Sequence, residues 1–239
     1  LLYLFPNKNL RTCVMLLDME DEFTFYDYAG KDERLIYPYY QGSKALSEKF
    51  GDLRFTKYFY YNKPLQDAIN EKLKIQLKKD GIKNKKRIGL GETIVYDNPK
   101  IYIRQSAKEI IATVDLKRSS ANNSLYVFTL RNNTAETIDF LYFLCGWLNS
   151  DLITYYAQHM NIIRYSPGKQ PQIKISDLGS VFIPTNKVLQ TKISKLCKSI
   201  YFNPTLKQHA LKEINDVVYN YYNLSNSEIL DILDGIKAF

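Results

Sequence analysis

Apolar side chains return at every fourth position through Leu65, Ile69, Leu73 and Leu77. That spacing lines one face of a helix and predicts an amphipathic helix over 64–80. Pro64 suits its first turn and Gly81 its stop. Beyond it the pattern changes. Runs rich in Val, Ile, Tyr and Thr over 87–96, 100–105, 109–114 and 124–130 predict strands, with Asp97-Asn98-Pro99 and Ser119-Ser120-Ala121-Asn122-Asn123 as turns. Helical spacing returns over 135–158 through Ile138, Leu141, Tyr142, Leu144, Cys145 and Leu148, and Asn149-Ser150-Asp151 is placed to break or re-cap that helix. An extended stretch over 162–184 holds the turn Ser166-Pro167-Gly168 and the run Gln172-Ile173-Lys174-Ile175. The last third is helical. Leu189, Ile193, Leu196, Cys197 and Ile200 form one stripe, Leu211, Ile214, Val218 and Tyr221 another, and Ser225 with Glu228 has capping-box spacing. The first 62 residues read as strand-like and aromatic, with turns at Pro6-Asn7 and Gly42. The pattern predicts an α+β fold: short mixed strands around a buried helix, under a C-terminal helical cap. We expect two regions, 1–184 and 185–239. The chain opens at Leu1, without Met and in mid-pattern, so we expect a fragment of a longer protein.

Charge sharpens the picture. The 239 residues carry a net charge of +8. Residues 18–33 hold seven acids against Lys31 alone, and 213–239 hold five acids against Lys237 alone. Residues 34–212 are left with 29 basic and 13 acidic side chains, a net of +16. A basic middle between acidic ends suits a polyanion-binding surface. The 20 tyrosines suit either a half-buried interface or an aromatic core.

Several kinds of chemistry lack their raw material. Cys13, Cys145 and Cys197 are scattered and odd in number, which reads as thiols in a reducing compartment and not as a disulfide framework. No Cys/His grouping has zinc spacing, and with only His159 and His209 histidine-based metal or triad chemistry has little raw material. There is no signal peptide and no apolar run near 18 residues, so we expect a cytoplasmic protein with no membrane contact. Gly-rich phosphate loops are absent, and Gly89-Leu90-Gly91 is too short to serve as one. Asp115-Leu116-Lys117 has the local spacing of a nuclease carboxylate and lysine but no evident acidic partner. Neither Asn98-Pro99-Lys100 nor Asn203-Pro204-Thr205 is the Asn-Pro-Pro-aromatic motif of adenine methylation.

Three stretches in order carry a resemblance. The first is Ile101-Tyr102-Ile103-Arg104-Gln105, then Ile110-Ile111-Ala112-Thr113-Val114-Asp115 and Asn123-Ser124-Leu125-Tyr126-Val127-Phe128. The second is Leu144-Cys145-Gly146-Trp147-Leu148-Asn149-Ser150, running on to Gln172-Ile173-Lys174-Ile175-Ser176-Asp177-Leu178 and Val181-Phe182-Ile183-Pro184. The third is Glu213-Ile214-Asn215-Asp216-Val217-Val218-Tyr219, then Tyr222-Asn223-Leu224-Ser225 and Glu228-Ile229. Over about 95–235 the set resembles the TaqI-like C-terminal specificity domain, which follows the N6-adenine methyltransferase in type II and type IIG restriction-modification enzymes. The resemblance implies sequence-specific recognition of double-stranded DNA by a module without catalytic motifs. S-adenosylmethionine and Mg²⁺ would then serve the methyltransferase and endonuclease domains of the same parent, and this fragment would bind no cofactor.

Such a module needs cations for phosphates and bidentate side chains for base edges. Arg104 and Gln105 close an expected strand, where Arg104 serves either as a base reader or in an ion pair within the sheet. The turn at 164–172 offers Arg164, Lys169, Gln170 and Gln172, either to DNA or merely to solvent, and 40–44 offers Gln41 and Lys44. Lys83, Lys85, Lys86 and Arg87 form a basic loop suited to phosphates, since a lysine is a point charge. Three rivals stand beside this reading. One is a fragment that includes an active nuclease. Another is a protein-docking module with a Tyr-rich face. The third is a type I specificity half-subunit, which would show longer coiled-coil spacers than the C-terminal stripes here.

Overall fold

The computed structural model describes residues 2–3, 10–12, 19–27, 30–83 and 87–239; the Pro6-Asn7 turn, Cys13, Lys85 and Lys86 lie outside the described residues. Strands β1 (Leu2–Tyr3) and β2 (Leu10–Thr12) come first, then a single helical turn, α1 (Glu20–Phe23). Strands β3 (Thr24–Phe25), β4 (Ile36–Tyr40) and β5 (Lys57–Tyr60) follow. Helix α2 (Lys63–Lys79) starts where Asn62 accepts the Leu65 N–H, with Pro64 in its first turn, and Gly81 beyond its end takes φ +66°. Its stripe buries Ile69, with Leu65 and Leu73 packed beside it.

The segment 87–96 departs from expectation. Its β-rich composition predicts a strand, yet 93–97 forms a helical turn, α3 (Thr93–Asp97). Ahead of that turn, the stretch 88–90 is tied to α2 and not to a strand. The Asn70 amide takes the Ile88 N–H at 2.8 Å and donates to the Ile88 carbonyl at 3.1 Å, while Gln66 Oε1 accepts the Leu90 N–H at 3.1 Å. Side chains of a helix supply the bonds a neighbouring strand would have given, so composition loses to tertiary context.

Next come β6 (Lys100–Arg104), β7 (Ala112–Asp115), β8 (Ser120–Ala121) and β9 (Leu125–Thr129). Helices α4 (Ala135–Leu148) and α5 (Asp151–His159) follow, split at Asn149-Ser150. The stretch 162–184 folds as β10 (Ile163–Arg164), β11 (Gln172–Ile173), α6 (Ile175–Leu178) and β12 (Phe182–Ile183). Three helices close the chain: α7 (Lys187–Phe202), α8 (Lys207–Tyr221) and α9 (Asn226–Ala238). The central sheet, ordered β2-β9-β6-β7, is antiparallel throughout. A second sheet runs β3-β5-β4-β8, with β4 and β8 parallel. Strands β1 with β12, and β10 with β11, make two-stranded ribbons. The fold is α+β.

The central sheet is covered on both faces. Ile101, Ile103, Tyr126 and Phe128 join the main core with α4, while Tyr102, Leu125 and Val127 pack against Tyr40, Leu46 and Ala121. Strand β9 accordingly opens on the unbroken apolar run Leu125-Tyr126-Val127-Phe128. Helix α4 buries all of 141–148, as a helix apolar on every side must. Its Gly146 brings α7 close, since a Cβ there would stand 2.6 Å from Ile193 Cγ2. Helices α7 and α8 share this core through Leu189, Ile193, Cys197, Ile214 and Val218. Among the described residues eight tyrosines are buried, and the Tyr37 and Tyr96 rings pack at a tilt of 55° with centroids 5.2 Å apart.

The free edge of β7 is closed by side chains. Asn149 Oδ1 accepts the Ala112 N–H at 3.0 Å, and its Nδ2 donates to Ala112 O at 2.9 Å and Cys145 O at 3.0 Å. The Tyr201 hydroxyl takes the Val114 N–H at 2.6 Å and meets Thr113 Oγ1 at 2.9 Å. Trp147, fully buried, donates its indole N–H to Phe182 O at 2.9 Å.

Helix α9 opens with the expected capping box between Ser225 and Glu228. The Ser225 hydroxyl and N–H hold the Glu228 carboxyl below its ordinary range. A depressed carboxylate stabilises the fold fully above its unfolded value, and that contribution disappears as pH falls through the folded one. Ser225→Ala should cost about 1 kcal/mol at neutral pH. The loss should shrink in acid, read by denaturant unfolding at both pH values; an equal loss at both would contradict the linkage.

Candidate nucleic-acid interface

Strand pairing brings four sequence-distant loops to one end of the two sheets. Arg104, the last residue of β6, faces Leu125, the first of β9. Tyr40, the last of β4, faces Ala121, the last of β8. The turn 122–124 therefore joins both sheets at the end from which 41–44 and 104–106 also emerge. Hydrogen bonds wire these loops together. The Gly42 N–H donates to Asn122 Oδ1 at 3.3 Å and the Asn122 N–H to Tyr40 O at 3.1 Å. The Gln105 N–H donates to Ser124 O at 2.9 Å, and the Ile173 N–H to Gln105 O at 2.9 Å. Tyr126 completes the link: its hydroxyl accepts from Gln105 Nε2 at 3.1 Å and donates to Ile173 O at 2.9 Å. Burial pushes that phenol up, away from ionisation.

The fourth loop is the tip of the β10–β11 ribbon. The Lys169 N–H donates to Ser166 O at 3.0 Å and Gly168 takes φ +74°, the geometry of a type II turn with Pro first and Gly second. Arg164, in register with Gln172, gives its guanidinium to Asp177 Oδ2 at 2.8 and 2.5 Å. Its fork is engaged as a strut of the ribbon.

The sequence-predicted residues fall as follows. Lys44, Lys169, Gln170 and Gln172 are exposed, and Gln41, Arg104 and Gln105 half-buried. All seven sit on the joined loops. Gln105 spends its amide on Tyr126, and Gln41 donates its backbone N–H to Thr56 Oγ1 at 3.3 Å. Arg104 makes no ion pair among the described residues, and its Nε is shut off from solvent without a partner. Lys83 and Arg87 are exposed beyond the C terminus of α2, and no hydrogen bond among the described residues ties them to the loops. Across 41–44, 104–106, 122–124 and 165–172 there is no Asp or Glu, while Lys44, Arg104 and Lys169 supply cations. The turn 122–124 was visible in the sequence only as a turn. Its place depends on β8 pairing with β4, some eighty residues away in the chain.

The arrangement offers cations and amide donors for a polyanion. Asp115 is engaged elsewhere, accepting from the Ser119 hydroxyl at 2.5 Å and the Lys117 N–H at 2.9 Å. Among the described residues no group of three or more His, Cys, Asp or Glu could hold a metal ion. No helix of the described residues is long and apolar enough to cross a membrane.

The profile of the TaqI-like C-terminal specificity domain matches residues 56–183. No curated protein matches the chain by sequence. Among solved structures, the chain is similar to the type IIL restriction-modification enzyme MmeI in complex with DNA, at 13% identity and TM-score 0.58. That match covers 98% of this chain and 36% of that one, so the chain spans little more than a third of it. The type IIG restriction endonuclease BpuSI matches at 14% identity and TM-score 0.40, over 85% of this chain and 27% of its own. A type I restriction-modification assembly matches at 15% identity and TM-score 0.36, over 95% and 45%.

Proposed function

Because the chain belongs to the family of TaqI-like C-terminal specificity domains, we propose that it is the DNA target recognition module of a type II or IIG restriction-modification enzyme and meets double-stranded DNA with the four joined loops. One observation carries the placement: segments from four parts of the chain converge without a single acidic residue. Lys44 and Lys169 neutralise phosphates there, and Gln170 and Gln172 reach base edges. Gln41, Gln105 and Arg164 hold the loops in shape. Lys83 and Arg87, with Lys85 and Lys86, add a second, sequence-blind phosphate contact. Residues 1–184 form the recognition region and 185–239 the helical region that supports it. Methyl transfer and strand cleavage, with S-adenosylmethionine and Mg²⁺, belong on this reading to catalytic parts of the same enzyme. The reading carries a cytoplasmic location with it.

Duplex binding followed by fluorescence anisotropy tests this. Each phosphate contact releases a counterion and adds close to one unit to the slope of log affinity against log salt; a flat response would overturn the proposal. Lys169→Ala with Gln170→Ala should alter which duplexes are preferred, by about 1–3 kcal/mol per lost bidentate contact. Lys83→Ala should weaken all sequences alike.

A further inference from the structure

The turn between β8 and β9 is locked from within. Asn122 Oδ1 accepts the Gly42 N–H at 3.3 Å, the Ser124 N–H at 3.2 Å and the Ser124 hydroxyl at 2.5 Å, and the Leu125 N–H closes onto Asn122 O at 3.2 Å. Asn123 stands at its tip, exposed, and its amide has no hydrogen bond among the described residues. An asparagine amide presents a donor and an acceptor in one plane, the complement of adenine N7 and N6 in the major groove. The backbone bond from Gln105 to Ser124 sets this turn directly beside Arg104.

Arg104 is unlike the other arginines whose side chains are described. Those are exposed, and three of them pair with acids: Arg34 with Asp32, Arg118 with Asp97 and Arg164 with Asp177. Arg104 is half-buried, has no carboxylate, and keeps a sealed, unpartnered Nε. A buried donor without a partner is costly, and the packing around it narrows the directions its fork can take. A pre-aimed guanidinium matches the paired acceptors O6 and N7 of guanine.

We propose that Asn123 and Arg104 are two specificity-determining side chains of this surface, Asn123 for adenine and Arg104 for guanine. This rests on the duplex-recognition reading above. Sorting a randomised duplex library with the unaltered chain, Asn123→Ala, Arg104→Lys and Lys44→Ala tests it. Asn123→Ala should flatten the preference at an A·T position by about 5- to 150-fold, and Arg104→Lys should do so at a different, G·C position. Arg104→Lys keeps the charge, so its salt slope should match that of the unaltered chain, while Lys44→Ala should weaken binding without changing the selected sequence. If the unaltered chain selects a site and both variants select the same one, or weaken every sequence equally, the assignment fails and duplex recognition stands. If the unaltered chain binds no duplex, both fall. Melting temperatures are read alongside; Asn123→Ala changes only an exposed side chain, so the adenine half is decided even where Arg104→Lys lowers stability.

Discussion

Asn149→Ala should lower the stability of the chain by about 2–4 kcal/mol, among the larger single-residue effects expected here. Asn149 acts as one more strand residue beside β7, giving Ala112 both an acceptor and a donor. Without it the Ala112 N–H is buried and unpaired, while Ala112 O keeps the Phe50 N–H at 3.0 Å. The site has no exposed surface, so water cannot readily replace the amide. Asn149→Asp should do no better at neutral pH, because an ionised carboxylate would face the carbonyls of Ala112 and Cys145 where the amide now donates. Urea unfolding followed by circular dichroism measures both variants. A loss under about 1 kcal/mol for Asn149→Ala, the net worth of an ordinary hydrogen bond, would show that the edge does not need this cap.

Gly146→Val should cost about 3 kcal/mol, the upper part of the overpacking range. A Cβ at Gly146 already meets Ile193 Cγ2 at 2.6 Å, Ile214 Cδ1 at 3.5 Å and Cys197 Cβ at 3.6 Å. A β-branched side chain adds two more carbons to that contact, and α4 and α7 must separate. Helix propensity opposes this only weakly, since valine gains a few tenths of a kcal/mol over glycine. Truncating the obstacle separates clash from other effects. Combined with Ile193→Ala, the valine should cost clearly less than the sum of the two single losses. Strict additivity in the double-mutant cycle would place the strain elsewhere.

Those two residues mark where the sequence was readable and where it was not. The run Leu144 to Ser150 showed itself as an apolar helix with a break, and the structure places the break at Asn149-Ser150. Helix α2, the Ser225 cap and the Ser166-Pro167-Gly168 turn were equally legible, because each depends on residues within a few positions of one another. The course of 88–90 was not, since the partners of Ile88 and Leu90 are Asn70 and Gln66 on a helix formed earlier in the chain. The interface was half legible. Its side chains were recognisable as loop cations and amides. Their convergence depends on the parallel pairing of β4 with β8 and on the bond from Ile173 back to Gln105. Nor did local pattern show that Arg164 is held by Asp177, thirteen residues on.

The closure of the β7 edge also orders events in time. Asn149 lies 37 residues beyond the Ala112 backbone it covers, and Tyr201 lies 87 beyond Val114. As the polypeptide leaves the ribosome, β6, β7 and β9 are all available long before α7. An open strand edge is a template for any other chain that reaches it. Through that interval the growing chain offers Val114 to strangers, and only the arrival of Tyr201 withdraws the offer. Nascent chains cut short between Thr129, where β9 ends, and Tyr201 should be the ones that aggregate.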